Sequence, residues 1–187
     1  TGNGSNRTIA HNLDCEVGMM LVKLTSGADG WAVYHRGLDS SAPEDYRLRL
    51  DGNNARIDNT DGSRWNRTAP TSSVFSLGTD GSVNANGSTY VAYLFAHNNG
   101  DGEFGLDSDQ DIIKCGSYTT NSSAKASIDL GFEPQWIIYR PYDDTADWKI
   151  IDNMRGFMGS TPVSGNYNKA VSANQSFAEY DEDGIHI

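Results

Sequence analysis

An internal duplication constrains the fold of this chain more than any other sequence feature. Residues 13–31 align without a gap with residues 130–148, at a constant offset of 117. The matching positions are Leu13 and Leu130, Glu16 and Glu133, Lys23 and Arg140, Trp31 and Trp148, and an apolar run at 19–22 and 136–139. The second copy then gains two residues before Arg155-Gly156, the counterpart of Arg36-Gly37. Because side chains alternate along a strand, an insertion of two residues leaves the Trp and the Arg on the same relative faces. The alignment therefore predicts that the chain contains one structural unit twice.

The spacing of the apolar residues predicts an all-β fold. Hydrophobic residues make up 37% of the chain and aromatic residues 10%, which is enough for a packed core. No long window places apolar side chains at helical spacing, whereas short apolar runs bounded by Gly, Asn, Asp and Ser occur throughout. This pattern is typical of sandwiches and barrels. We therefore expect two repeated antiparallel β-sandwich units of jelly-roll or lectin-like type, over residues 1–97 and 98–187.

Short runs between turn signals predict the individual strands. They are expected near 7–13, 18–24, 30–36, 45–50, 54–58, 73–78, 89–96, 111–118, 126–130, 135–140, 147–152, 175–180 and 184–187. The strand at 89–96 (TYVAYLFA) is apolar on both faces, so we expect it to be covered on both sides. The second unit lacks a counterpart of this strand and is expected to be incomplete at its C-terminal end. The chain is therefore expected to be a segment of a longer protein or to receive a strand from another chain.

The net charge argues against some classes of binding partner, and the cysteine content bears on whether the chain contains a disulfide. The chain has 14 Lys and Arg against 25 Asp and Glu, a net charge of −11. Nucleic acids and anionic membranes bind through basic patches, so neither is expected as a partner. Cys15 and Cys115 are not equivalent under the repeat, and we interpret them as buried free thiols, with a disulfide as the alternative.

One acidic segment, DSDQD, could hold a cation. Asp107, Asp109 and Asp111 occupy alternate positions, as in the first half of a calcium loop. Such a loop has Gly at its sixth position and Glu at its twelfth, where this chain has Ile112 and Tyr118. A solvated acidic turn is the simpler interpretation. Calcium remains the one cofactor to test, because clustered carboxylates repel each other unless a cation or solvent screens them.

The tryptophans and their neighbours are the remaining binding candidates, since an aromatic face can stack on a sugar ring. Trp31, Trp136 and Trp148 have apolar neighbours in strands, which favours core packing. Trp65 lies between Arg64 and Arg67 in the polar loop DGSRWNRT. We expect it to be exposed, either as a ligand-binding residue together with the two arginines or as an anchor of its loop.

A second acidic segment, EYDED, bears on catalysis. Glu179, Asp181 and Asp183 share a face if residues 179–183 form a strand. Glycoside hydrolysis needs two carboxylates that face each other across a sugar, but an exposed turn is the simpler interpretation here. The four histidines show no metal spacing, and no serine occupies a nucleophile elbow.

Six segments occur in an order that resembles a known class of virion protein. They are HNLDCEVGMMLVKL, WAVYHRGL, WNRTAPTSSVFSLG, VNANGSTYVAYLFAH, DQDIIKCGSY and DLGFEPQWIIYRP…DWKIIDNMRG. This order resembles the β-sandwich modules of virion and tail-fibre proteins of marine bacteriophages, of the cyanophage and pelagiphage kind, over nearly the whole chain. The resemblance implies a structural or host-adhesion role in a virion tail or surface appendage, and symmetric homo-oligomers, commonly trimers. It supplies no ligand-binding residue and no catalytic motif.

Two functions from different classes therefore stand. The first is a non-enzymatic virion module that contacts its own copies, other virion proteins and a host-surface glycan or protein. The second is a carbohydrate-active enzyme on a sandwich fold. A cleft with two facing carboxylates about 5 to 10 Å apart would distinguish the second from the first.

Overall fold

The structure, a computed structural model, describes residues 1–98, 106–107, 110–123, 126–155, 168–176, 178–182 and 185–186. The described residues form thirteen β-strands and little helix, so the predicted all-β class is confirmed. The strands are β1 Arg7–Ala10, β2 Val17–Leu24, β3 Trp31–His35, β4 Tyr46–Arg49, β5 Ile57–Asp58, β6 Val74–Leu77, β7 Tyr90–Ala96, β8 Ala126–Ser127, β9 Trp136–Tyr139, β10 Lys149–Asp152, β11 Asn168–Ser172, β12 Tyr180–Glu182 and β13 Ile185–His186. The helical pieces are two 3₁₀ turns, Arg36–Leu38 and Pro43–Asp45, and one short helix, α1 Gly81–Asn84. No helix in this part of the chain is long and apolar enough to cross a bilayer.

The largest sheet has five antiparallel strands in the order β5-β4-β3-β2-β7. Its interior strand β2, which lies between β3 and β7, is apolar at nearly every position, because both faces of the sheet are covered. Met20 and Val22 belong to one core cluster, whereas Met19 and Leu21 pack into another. The alternation of side chains along β2 therefore separates two cores.

Each face of this sheet has its own cover. The first core includes Phe75 and Leu77 from the β1/β6 pair, Val83 from α1, and Trp65. The second core is closed by residues from later in the chain, among them Cys115 and Trp148. The second half of the chain thus packs directly onto the sheet of the first half.

A four-stranded antiparallel sheet, in the order β12-β11-β10-β9, repeats the meander β5-β4-β3-β2. Val22 lies opposite Ala32 in the first meander, and Tyr139 lies opposite Lys149 in the second, so both numbers rise by 117. The next hairpins also match: the pair Arg47 and Ile57 in β4 and β5 corresponds to the pair Ala170 and Tyr180 in β11 and β12, at an offset of 123. Equal strand order and equal register in both hairpins show that the duplicated sequence builds the same meander twice.

The two halves differ outside the meanders. Strand β7 pairs with β2, but the described residues contain no strand in the equivalent place beside β9. Strands β1 and β6 pair antiparallel, whereas β8 and β13 pair parallel. The structure therefore shows a repeated meander. The two repeated sandwich units, and the division of the chain between residues 97 and 98, stay predictions.

Some strand predictions were wrong. Residues 111–118 form no strand, and β11 was missed. Strand β7 lies at the edge of its sheet and Tyr93 is 51% exposed, so full coverage of this strand was also a wrong prediction. The two-residue insertion before Arg155 falls after the end of β10, where the alternation of strand faces no longer applies.

Trp148 joins the two halves, and its replacement tests that role. Its side chain is 3% exposed, and its Nε1–H donates to the Arg49 carbonyl at 2.7 Å. We predict that Trp148→Ala lowers the free energy of unfolding by about 3–5 kcal/mol, through the lost contacts and the cavity left behind. The repeat supplies a matched control, Trp31→Ala, for which we expect about 1–2 kcal/mol because Trp31 is only partly buried. Urea denaturation measures both, and equal losses would contradict this account.

Candidate functional site

A cleft of about 250 Å³ lies where the second meander meets the first. Pockets that hold small ligands are concave, contain a few polar groups, and favour junctions between structural units. The lining residues come from the ends of β2 and β3 with the turn that follows (Met19, His35, Gly37, Leu38), from β4 (Leu48), from the segment 116–120, and from the β9–β10 hairpin (138–143 and Trp148). Because both halves contribute, the cleft exists only when they are packed together.

Arg140 fixes the hairpin side of the cleft. Its guanidinium donates to the carbonyls of Gly52 at 3.0 Å, Asn53 at 2.9 Å and Asn54 at 2.5 Å, and lies 5.3 Å from the centre of the Trp148 ring. Burial lowers the pKa of Arg140, while nearby Asp147 raises it. Three charge-assisted hydrogen bonds to one loop hold this wall in a defined position.

A second arginine holds Tyr142, which also lines the cleft. The Arg56 guanidinium lies 4.3 Å from the ring centre of Tyr46 and 5.1 Å from that of Tyr142. The Arg56 backbone N–H donates to the Tyr142 carbonyl at 2.6 Å. A cation between two aromatic rings, one from each half, adds to the attraction across the junction.

Two glycines bring the segment at 115–117 against the first sheet. A Cβ on Gly18 would lie 2.5 Å from the Cβ of Cys115, and a Cβ on Gly37 would lie 3.0 Å from the backbone of Gly116. A side chain at residue 18 would overlap Cys115, and one at residue 37 would crowd Gly116, so glycine suits both approaches. Cys115 is buried, which raises the pKa of its thiol to about 12. Both cysteines are buried and form no disulfide, as predicted, and the thiol of Cys115 serves the packing that places the rim of the cleft.

His35 contributes a neutral imidazole to the cleft. Its Nδ1 accepts the Gly37 N–H at 3.0 Å, so the ring carries its proton on Nε2. Burial lowers the pKa of His35 to about 4, and the charges of Arg36 and His97 act in the same direction. The imidazole therefore offers one N–H donor and no charge at neutral pH.

The rim of the cleft is polar and open. Residues 116–120 (GSYTT) are exposed, with Tyr118 38% exposed, and Asp143 is exposed on the opposite hairpin. Hydroxyl groups both donate and accept hydrogen bonds, and a carboxylate accepts two or more. This combination of aromatic faces, hydroxyls and one carboxylate can bind a small polyhydroxylated ligand.

The expected exposure of Trp65 was wrong. Its side chain is 1% exposed, its ring meets Tyr34 edge-on with centroids 6.2 Å apart, and its Nε1–H donates to the Tyr46 carbonyl at 3.1 Å. Left-handed backbone at Asn66 (φ 52°) and Arg67 (φ 46°) lies immediately after the tryptophan in this turn. Of the two alternatives, the loop anchor fits this arrangement.

The two arginines beside Trp65 are held by carboxylates. Arg64 pairs with Asp80 at 3.1 Å, and Arg67 pairs with Asp45 at 3.0 Å. The predicted trio of Arg64, Trp65 and Arg67 does not form a common exposed surface, and it lies outside the lining of the cleft.

The other three tryptophans differ in how far they are buried. Trp148 is buried as predicted, but Trp136 is 47% exposed, which contradicts core packing. Trp31 is partly buried beside Tyr93, with ring centroids 6.1 Å apart.

Prediction from the sequence missed the cleft residues because 116–120 and Asp143 have no distinctive local pattern, and only long-range packing brings them together.

The acidic segments form no cluster among the described residues. Asp111 pairs with Lys114 at 3.3 Å, Asp107 is exposed, and Asp109 lies outside the described residues. No group of three metal-ligating side chains occurs in the described ranges, and calcium binding stays a prediction. In the EYDED segment, Asp181 pairs with Lys169 on the adjacent strand and Glu179 is exposed, while Asp183 is not described.

Comparison with known proteins identifies one family. A family model described as a domain of unknown function, DUF7483, matches residues 1–187. No curated protein and no solved structure matches.

The pKa of His35 leads to a test of its place in the cleft. The unfolded imidazole binds a proton near pH 6.5 and the folded one near pH 4, so the unfolded state holds more protons between these values. We predict that the free energy of unfolding falls as the pH decreases from 6.5 to 4, by at most about 3 kcal/mol from this residue. Urea denaturation at intervals across this range measures the change.

His35→Asn is the matched control for the pH dependence. An Asn side chain can accept the N–H of the residue two positions on, as His35 does, but it does not titrate. The variant should therefore keep most of the stability at low pH that the wild type loses. An unchanged pH slope in the variant would show that His35 is not the group responsible.

Proposed function

The chain belongs to the DUF7483 family, and we propose that it is a non-enzymatic β-sandwich module of a virion tail fibre or surface appendage that attaches to a host-surface glycan through the cleft. The assignment to a virion is supported by the resemblance of the six sequence segments to marine phage modules. Within this proposal each meander belongs to one of two related sandwich units of lectin-like or jelly-roll type. The module works as a homo-oligomer, with a trimer as the expected state, beside other virion proteins.

The observation that carries the attachment role is the composition of the cleft. Its wall supplies aromatic faces and the neutral donor of His35, and its rim supplies the hydroxyls of residues 117–120 and the carboxylate of Asp143. Sugars present apolar ring faces with polar edges, so they need both kinds of partner. The volume of about 250 Å³ lies just below the range of about 300 to 1,000 Å³ typical of small-molecule sites. It fits one or two sugar residues at the end of a glycan.

The same cleft favours binding over hydrolysis. Among the described lining residues Asp143 is the one carboxylate. Hydrolysis of a glycosidic bond uses a second carboxyl group as acid or nucleophile. The acidic segment at 179–183, which suggested the enzyme, does not contribute to this lining.

Replacement of the rim residues tests the attachment role. A glycan array probed with the labelled wild-type protein identifies the ligand, and calorimetry then measures its affinity. We predict that Tyr118→Ala and Asp143→Asn each weaken binding at least about tenfold, which corresponds to about 1.4 kcal/mol. The matched control is Asp144→Asn, because Asp144 is exposed next to Asp143 but lies outside the lining.

Four outcomes separate the alternatives. Binding that is lost in both rim variants and kept in the control supports the cleft as the attachment site. Equal losses in the control would place the site elsewhere, and no binding to any arrayed glycan would oppose the attachment role. Release of reducing sugar from a bound glycan would instead favour the enzyme.

A further inference from the structure

Each of the two sheets ends in a strand with an open edge. Strand β7 closes the five-stranded sheet and β9 closes the four-stranded sheet, and within the described ranges neither has a neighbour beyond it. The sequences of these strands, YVAYLFA and WIIY, contain no charged residue and no proline. Natural proteins commonly protect open edges with Lys, Pro or a covering segment, because unpaired backbone groups invite another strand. These two edges lack the first two kinds of protection.

The hydrogen bonds around β9 show which of its backbone groups face the open edge. Asn153 N–H donates to the Gln135 carbonyl at 3.1 Å, so residues 135 and 153 form a hydrogen-bonded pair of the antiparallel ladder. Such pairs alternate along a ladder. Ile137 and Tyr139 therefore bond to β10, and Trp136 and Ile138 direct their N–H and C=O groups outward.

The same reasoning applies to β7. Thr25 N–H donates to the Thr89 carbonyl at 2.9 Å, which makes residues 25 and 89 a hydrogen-bonded pair. By alternation, residues 91, 93 and 95 bond to β2. Ala92 and Leu94 therefore direct their N–H and C=O groups away from the sheet.

The repeat indicates what kind of strand suits β9. The residues of β2 that bond to β7 include Met19 and Leu21, and their counterparts at the offset of 117 are Trp136 and Ile138. The open edge of β9 is thus the same edge that holds β7 in the first meander. The described residues therefore contain two equivalent edges, one on β2 and one on β9, but only β2 has a strand, β7, paired with it. Within the same residues, the outer edge of β7 is not paired with another strand.

Exposed aromatic side chains mark both edges. Tyr93 on β7 is 51% exposed and Trp136 on β9 is 47% exposed. Aromatic and β-branched side chains contribute most when they pair across neighbouring strands. An antiparallel contact between the two edges would cover both apolar surfaces with the same chemistry that joins β2 to β7.

We propose that β9 of one copy of this chain pairs with the outer edge of β7 of a second copy. Strand β7 would then lie between β2 of its own copy and β9, the counterpart of β2, of the other copy. The contact joins two different surfaces, which allows copies to assemble head to tail and to close into a ring. It supplies an interface for the homo-oligomer of the proposed function, and it does not depend on the glycan cleft.

Proline at outward-facing positions tests the pairing. Ala92→Pro and Trp136→Pro each remove one outward N–H, whereas the bonds to β2 and to β10 come from the alternate residues. We expect light scattering to give a mass of at least two chains of 20.3 kDa for the wild type and of one chain for each proline variant. The controls Ala92→Ser and Trp136→Tyr keep the N–H and should assemble like the wild type. Far-ultraviolet circular dichroism establishes that every variant is folded.

A mixture of the two proline variants separates this contact from any symmetric one. Ala92→Pro keeps an intact β9 edge and Trp136→Pro keeps an intact β7 edge, so the mixture should form a dimer of one chain of each kind. Hydrogen exchange on the wild type gives a second measurement, in which the amides of Leu94 and Ile138 are protected only in the assembled state. A monomeric wild type at its highest soluble concentration, proline variants that assemble like the wild type, or a mixture that stays monomeric would each overturn the proposal.

The proline variants also keep the two proposals apart. Their clefts retain every lining residue, so a monomeric variant should still bind the glycan found for the wild type. If assembly fails as predicted while binding persists, the interface is supported whatever the ligand. If binding is absent from the wild type, the result opposes the glycan proposal and leaves the assembly result intact.

Discussion

The structure depends on the burial of both faces of one antiparallel sheet. Strands β2 and β3 are apolar on both sides, and a sheet of that kind cannot leave either face in water. The β1/β6 pair, α1 and Trp65 cover one face, and the second meander covers part of the other through Trp148. Because the second meander closes a core of the first, the two halves pack against each other and a cleft remains at their junction.

The duplication explains both the likeness of the two meanders and their different roles. Trp31 and Trp148 occupy the same register position, yet Trp31 is partly exposed beside Tyr93 while Trp148 is buried against Arg49. Lys23 and Arg140 are also equivalent. Lys23 donates to carbonyls of its own hairpin, whereas Arg140 reaches the carbonyls of another loop and so joins the halves. The longer, forked side chain of arginine suits that task.

The sequence was sufficient for the features that depend on local pattern. The apolar runs predicted β2 and β3 to within a residue, and the offset of 117 matches the register of both hairpins. Strand β11 (NKAVS) was missed because its residues have neither an apolar run nor clear alternation.

The site was harder to predict than the fold. A polar loop with Trp65 indicated exposure, but left-handed backbone at the next two residues accompanies a ring packed in the core, and a sequence does not report φ directly. The cleft depends on the close approach of residues 115–117 to Gly18 and Gly37. These contacts span most of the first half of the chain, so no local spacing could predict them.

The packing of the second meander on the first sheet is the central claim, and nuclear magnetic resonance tests it most directly at the Trp148 indole. If Nε1–H donates to the Arg49 carbonyl, its proton exchanges slowly with solvent and gives nuclear Overhauser contacts to the backbone protons of Arg49 or Leu50. Rapid exchange of the indole proton, with no contact to residues 48–50, would show that the halves do not pack in this way.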